Sequence, residues 1–207
     1  MPRNQIPFWL KAAYLLWILV WVPVYWTYHG PVNLLWLCDV TNFFIAVALI
    51  LESPLLFSSQ AVGVLLIQIA WTIDFFGRML LGQHLIGGTE YMFDASQPIW
   101  LRGMSLFHIV VPVLLIWSIW RLGYDKRGWK LESVIIWLIL PVSYVAAGPE
   151  MNLNWLWAPF GIEQTLTTPA NYLLFCMFAY PAVLFWPTHR ALLRWARGRK
   201  ILIFPYP

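Results

Sequence analysis

The chain has 207 residues, of which 61% are apolar and only 11% charged, a balance that excludes the mixed, charged surface of a soluble domain. Its formal net charge of +4 does not point to nucleic acid, because the basic residues are not interleaved with aromatics along one polar stripe. They fall between apolar runs, where anionic lipid headgroups attract them.

A hydrocarbon core of about 30 Å takes roughly 20 helical residues to cross. Apolar runs at 8–28, 33–51, 56–80, 99–120, 131–148 and 171–188 predict an all-α polytopic transmembrane helical bundle of about six spans, one domain over 1–207. These runs lack the in/out alternation of barrel strands, and backbone in lipid must satisfy itself, so helices are the expected solution. The first run is too long for a secretory leader and has no small-residue cleavage site, so it reads as a span. His29-Gly30-Pro31-Val32 and Glu52-Ser53-Pro54 are tight connections, which makes the first three spans antiparallel neighbours. The connections at 81–98 and 149–170 are long and share one side. The second carries Asn152, Asn154, Trp155, Trp157 and Pro159 and reads as an interfacial or re-entrant segment, since Trp favours the headgroup boundary. The tail 189–207 is expected to lie on the inner headgroups as a basic amphipathic helix, with Trp195 and Ile201 to Phe204 dipping toward lipid.

With both termini cytoplasmic, eleven of the thirteen Lys and Arg fall on the inner side, Arg3 and Lys11 among them, and only Arg78 and Arg102 remain outside. That asymmetry fits the positive-inside rule and an inner (cytoplasmic) membrane location as a multi-pass protein. An odd number of spans spoils it.

Ionisable side chains in hydrocarbon are costly and normally face a bundle interior or a wet cavity, so they mark candidate sites. Asp39 is expected about 9 Å below the outer end of the second span. Asn42 shares its face, whereas Thr41 is rotated about 200° away and reads as a packing hydroxyl. Asp74 sits at similar depth on the third span, with Arg78 one turn further out; as an i, i+4 pair the two can simply neutralise one another. Arg102, Ser105 and His108 follow at i, i+3, i+6 on one stripe of the fourth span. Tyr144 and Glu150 mark the outer end of the fifth span, and Asn171 and Cys176 that of the sixth. His84 reads as a solvated loop residue, and His29 and His189 as interfacial. Asp39 has no basic residue within a turn of its own helix, so its partner comes from elsewhere, with Arg102 and His108 the candidates. Ser58, Gln60 and Ser143 are the polar groups assigned to the inner half. The distribution predicts a pocket that opens outward and is closed from below.

Such a set supports three kinds of chemistry. Imidazole and carboxylates can hold a divalent metal; His108 can act as base with Ser105 or Cys38 as nucleophile; or the groups can stabilise a subunit of a larger assembly and catalyse nothing. No HExxH, GxSxG, CxxCH or phosphate-cradling glycine motif selects among them, so no metal site and no cofactor is assigned. Cys38 and Cys176 fit no disulfide or metal-ligand spacing.

The segment Trp36-Leu37-Cys38-Asp39-Val40-Thr41-Asn42-Phe43-Phe44, followed by Ser105-Leu106-Phe107-His108-Ile109-Val110-Val111-Pro112, resembles two blocks of small uncharacterised bacterial membrane-associated proteins. It is also similar to the androgen-induced type of intramembrane lipid hydrolases, which pair a threonine in an early span with a histidine before an apolar, Pro-containing run. The resemblance implies that Thr41 and His108 hydrolyse lipid esters. The string from Ser105 to His108 is similar to one in the alkaline ceramidase and progestin-receptor-like superfamily, but this chain has only four histidines and lacks the HxxxH that binds zinc there.

These observations favour a hydrolase or acyltransferase acting on a lipid-like substrate from the outer leaflet. In that reading His108 is general base, Asp39 its orienting carboxylate, Ser105 a nucleophile and Arg102 an anion clamp. Asp74, Arg78, Asn42, Tyr144 and Glu150 line the substrate side. One alternative is a non-enzymatic subunit or assembly factor that binds membrane-protein partners or a cofactor such as haem. The other is a small transporter, which predicts polar groups continuing to the inner side.

Overall fold

Proline and hydroxyl caps set the helix starts. In the computed structural model, which describes residues 5–205, Ser53 accepts a hydrogen bond from the Leu56 amide at 3.3 Å and Pro54 takes the first helical position. Thr168 and Pro169 repeat the device, with the Asn171 amide donating at 3.4 Å. A side-chain oxygen satisfies one orphan N–H, and proline has none to satisfy.

Eight α-helices result among the described residues: α1 (Phe8–His29), α2 (Leu37–Leu51), α3 (Pro54–Leu81), α4 (Ile99–Met104), α5 (Phe107–Leu122), α6 (Gly128–Ala146), α7 (Pro169–Ala179) and α8 (Trp186–Gly198). The protein is all-α apart from a two-residue parallel pairing of β1 (Tyr124–Asp125) with β2 (Ile203–Phe204). Five stretches are long and apolar enough to cross a membrane: α1, α3, the α4–α5 run, α6 and the α7–α8 run. The 15-residue α2 is shorter, rising about 22 Å. A 3-10 turn at Pro31–Leu35 precedes it.

α3 is the axis of the bundle, packed against α2, α5, α6 and the start of α8. Small or polar side chains on its first half, Ser58, Ser59, Gln60, Ala61 and Gly63, are buried, which lets α6 approach closely. Gly128 stands against the Ser58 backbone so tightly that an added Cβ would lie 2.8 Å from it.

Three sequence expectations need correction. The fourth span is interrupted at Ser105–Leu106, where α4 ends and α5 begins. Arg102, Ser105 and His108 therefore do not form a stripe on one continuous helix. The segment after 188 is not a separate headgroup helix: α8 continues the last span through a π-helical turn at Tyr180–Phe185, and Thr188, His189, Leu192 and Ala196 are buried against the bundle. Chain beyond it folds back, with Ile203 and Phe204 pairing with β1. Ser143 lies at the end of α6 that carries the second long loop, not at the opposite end, since its hydroxyl accepts from Asn154 of that loop at 3.1 Å. Arg3 and residues 206–207 lie outside the described residues.

The second long loop does re-enter the bundle. Leu153, Asn154 and Leu156 are buried. Asn154 accepts from the Leu37 amide at 2.8 Å and donates to the Leu35 carbonyl at 2.9 Å, while its own carbonyl accepts from Tyr180 at 2.9 Å. Irregular backbone at this depth is tolerated because protein, not lipid, surrounds it. The loop thus caps the short α2 at its first amide, that of Leu37.

Candidate functional site

Where α1, α2, α3 and the α4–α5 break meet, polar side chains gather around Tyr25. The Tyr25 and Ser105 hydroxyls share a hydrogen bond of 2.7 Å. Asp39 and Cys38, on the first turn of α2, lie within electrostatic range of the same tyrosine. Asp39 is buried and accepts from Asn33 at 3.2 Å, and Cys38 is half-buried. From above, Tyr91 of the first long loop accepts from Trp71 at 3.2 Å and comes within hydrogen-bonding reach of Ser105. Burial holds the Tyr91 phenol well above its ordinary range, so it stays a neutral hydroxyl.

His108 is buried at the start of α5 between two aromatic faces, Trp71 at 4.5 Å between centroids and 15° from parallel, and Phe107 at 4.1 Å and 25°. Its Nδ1 lies 2.8 Å from the Ser105 backbone carbonyl. A carbonyl only accepts, so Nδ1 carries the proton and Nε2 keeps the lone pair. The break between α4 and α5 makes this possible, because it leaves the Ser105 carbonyl free to receive both the His108 ring and the His108 amide.

No family model, no curated protein and no solved structure matches this chain. What the site does must therefore be argued from its own geometry.

Of the predicted residues, Asp39, Ser105 and His108 share this cluster, though no hydrogen bond joins Asp39 to His108. The imidazole is oriented by the Ser105 carbonyl instead. Asn42 faces α1, accepting from Tyr14 at 2.8 Å. Thr41 donates to the Leu37 carbonyl at 2.9 Å and is fully buried, as expected of a packing hydroxyl. Arg102 turns into the first long loop, donating to the Met92 carbonyl at 2.6 Å and the Gln97 carbonyl at 3.1 Å. Tyr144 stacks on Trp157 at 4.7 Å, and Glu150 is exposed. Asn171 is exposed at the start of α7, and Cys176 is buried.

Asp74 and Arg78 do not pair. The Asp74 carboxylate accepts from the Leu85, Ile86 and Gly87 amides at 2.8, 2.7 and 2.9 Å, from the Thr89 hydroxyl, and from His84 at 2.9 Å. Arg78 donates to the Gly82 carbonyl and lies over the Phe93 ring. The loop outbids the arginine because five converging donors satisfy the carboxylate where a single side chain cannot. Asp74 is a clasp that fixes the loop bearing Tyr91, and His84 is part of that clasp.

Sequence reasoning missed the other end of α3. The fifth apolar run starts at 131, but α6 begins at Gly128 and Glu132 is fully buried. Its Oε2 accepts from Ser59 at 2.7 Å and Gln60 at 3.0 Å. Helical phase from Gly128 was the available signal, since it turns Glu132 and Ser133 inward. Further along, the side chains of Gln68 and Ser118 are buried with unpartnered polar atoms, so hydrophilic groups do continue below the outer cluster. Among the described residues no three His, Cys, Asp or Glu side chains gather as a metal-ligand group.

Proposed function

We propose that this chain is a six-pass inner-membrane protein with cytoplasmic termini whose outer cluster transfers or hydrolyses acyl groups of a lipid-like substrate. The observation that carries this reading is the His108 imidazole: buried, held flat between two rings and fixed by the Ser105 carbonyl so that Nε2 is free to take a proton. That is the state a general base requires. Two nucleophiles stand in the cluster, the Ser105 hydroxyl tied to Tyr25 and the Cys38 thiol beside Asp39. In either case the nucleophile's proton passes to Nε2 as its oxygen or sulfur attacks the acyl carbonyl, and His108 then returns the proton to the leaving group. Tyr25 and Tyr91 are neutral donors able to hold the oxyanion that develops, a role Arg102 leaves open by binding the loop. Thr41, the nucleophile implied by the likeness to androgen-induced-type hydrolases, is a weaker candidate because its hydroxyl is bonded to the backbone. The lipid bilayer surrounds the chain in this reading and supplies the substrate.

Purified protein in nanodiscs, offered acyl phospholipids and glycerides, tests the proposal. His108→Ala should lower turnover by roughly 10² to 10⁴, the usual worth of a positioned base, with folding checked by thermal unfolding. Ser105→Ala and Cys38→Ala then separate the nucleophiles. Turnover unchanged in His108→Ala sinks the reading.

A further inference from the structure

The structure also points to a second site, at the inner end of α3, that the acyl-transfer chemistry does not use. Glu132 has no solvent exposure. One oxygen, Oε2, receives both available donors, Ser59 and Gln60, while the other, Oε1, is buried with no hydrogen-bond partner. Gln60 also leaves its own Oε1 buried and unpartnered. These groups sit in the contact between α3 and α6, where Gly63 is the residue that leaves room: a Cβ there would fall on Glu132 Oε1.

No cation answers this carboxyl. The ion pairs among the described residues are Lys11 with Glu52, His84 with Asp74 and Arg127 with Asp125. The charged and titratable groups nearest in the fold are engaged elsewhere. Asp125 of β1 is held by Arg127 and donates its amide to Ser58 at 2.8 Å. His189 of α8 is bonded to Tyr124 at 2.8 Å. Lys130, on the turn before Glu132, lies over the Trp129 ring. An ionised carboxylate with one bare oxygen and no counter-charge inside a helical core is far costlier than the neutral acid.

We infer that Glu132, held by Ser59 and Gln60, is a proton-binding site in the buried contact between α3 and α6 that stays loaded at neutral pH. Oε1 carries the proton and Oε2 keeps its two donors. Release of that proton requires a cation or water to enter between α3 and α6, which the tight Gly63 contact opposes in the closed packing.

The test uses the full chain in nanodiscs with glutamate labelled at its carboxyl carbon. Five glutamates are present, Glu52, Glu90, Glu132, Glu150 and Glu163, so the carbon spectrum is small enough to read throughout a pH titration. At about pH 7, well above the ordinary glutamate value of about 4.3, one resonance is expected in the protonated-acid position, and that resonance is lost in Glu132→Gln. Where Glu132→Gln does not fold, Glu132→Asp removes the same signal from the labelled set, and the wild-type titration already counts protonated acids. Five carboxylate signals at about pH 7 overturn the inference. So does a Glu132 signal that is carboxylate in sodium and moves when choline replaces it, which would make the ligand a metal cation. Neither result bears on lipid turnover at His108.

Discussion

Asp74 and Glu132 are both buried carboxylic acids in one bundle, one near each end of α3, and their surroundings differ sharply. Asp74 takes five donors, three of them backbone amides of the 85–87 turn. Glu132 takes two side-chain donors and keeps a bare oxygen. The difference follows from what backbone each acid can reach. Beside Asp74 an irregular loop offers N–H groups not yet spent on helix. Around Glu132 the helices consume their own amides, so only side chains remain. A loop can neutralise a buried acid; a helical wall leaves it to a proton.

The largest effect should come from breaking the outer half of that contrast. Asp74→Ala strips the acceptor from three amides, Thr89 and His84 together, and is expected to cost roughly 2–4 kcal/mol of stability. Thermal unfolding in detergent measures the loss, and limited proteolysis should show cleavage moving into 82–93. Because that loop carries Tyr91 onto Trp71, lipid turnover should fall as well. Asp74→Asn, which keeps one acceptor oxygen, should lose about half as much. An unchanged melting point and an uncut loop in Asp74→Ala would remove the clasp.

The inner half is sharpened by a double-mutant cycle at the α3–α6 contact. Gly63→Ala places a methyl group on the Glu132 carboxyl and should cost about 1–3 kcal/mol by overpacking. In a Glu132→Ala background the same change should cost less by at least about 1 kcal/mol, because the two side chains touch. Equal penalties in both backgrounds would mean that α6 lies elsewhere than against Gly63.

Much of this fold was legible because apolar run length reports a membrane span directly. The boundaries of α1 and α3 fall within about two residues of the apolar runs that announce them. What escaped was set by tertiary contact. Gly103 weakens the helix two residues ahead of Ser105–Leu106, but a lone glycine does not announce a break, and that break frees the carbonyl that orients His108. The tail read as an interfacial helix because its charges lie on one face; the opposite face, Thr188, His189, Leu192 and Ala196, finds bundle rather than lipid. Depth along the spans drew Asp39, Ser105 and His108 into one region, and the three stand around Tyr25 and the α4–α5 break. Tyr25, Trp71 and Tyr91 do not stand out among 37 aromatic residues, because a tyrosine hydrogen-bonded to a buried serine and one that fills a membrane interface look alike along the chain. The i, i+4 spacing of Asp74 and Arg78 misled for a related reason: spacing reveals which side chains can meet on a helix, not which competing donors a loop will bring.

The smallest expected effect concerns Arg102, and it separates two roles for one guanidinium. As an anion clamp, Arg102 would touch substrate, and replacing it would raise KM or lower kcat strongly. Its bonds run instead to the Met92 and Gln97 carbonyls, which makes it a strut for the same loop that Asp74 clasps. Arg102→Ala should then cost about 1 kcal/mol or less, increase proteolysis around 92–97, and leave KM for an anionic phospholipid and for a neutral glyceride changed by the same factor. Arg102→Lys keeps the charge but loses the fork that spans two carbonyls, so a strut predicts that it behaves like the alanine variant, whereas a charge clamp predicts rescue. Selective loss of the anionic substrate in Arg102→Ala, restored by lysine, would return this residue to the site and leave Asp74 alone to hold the loop.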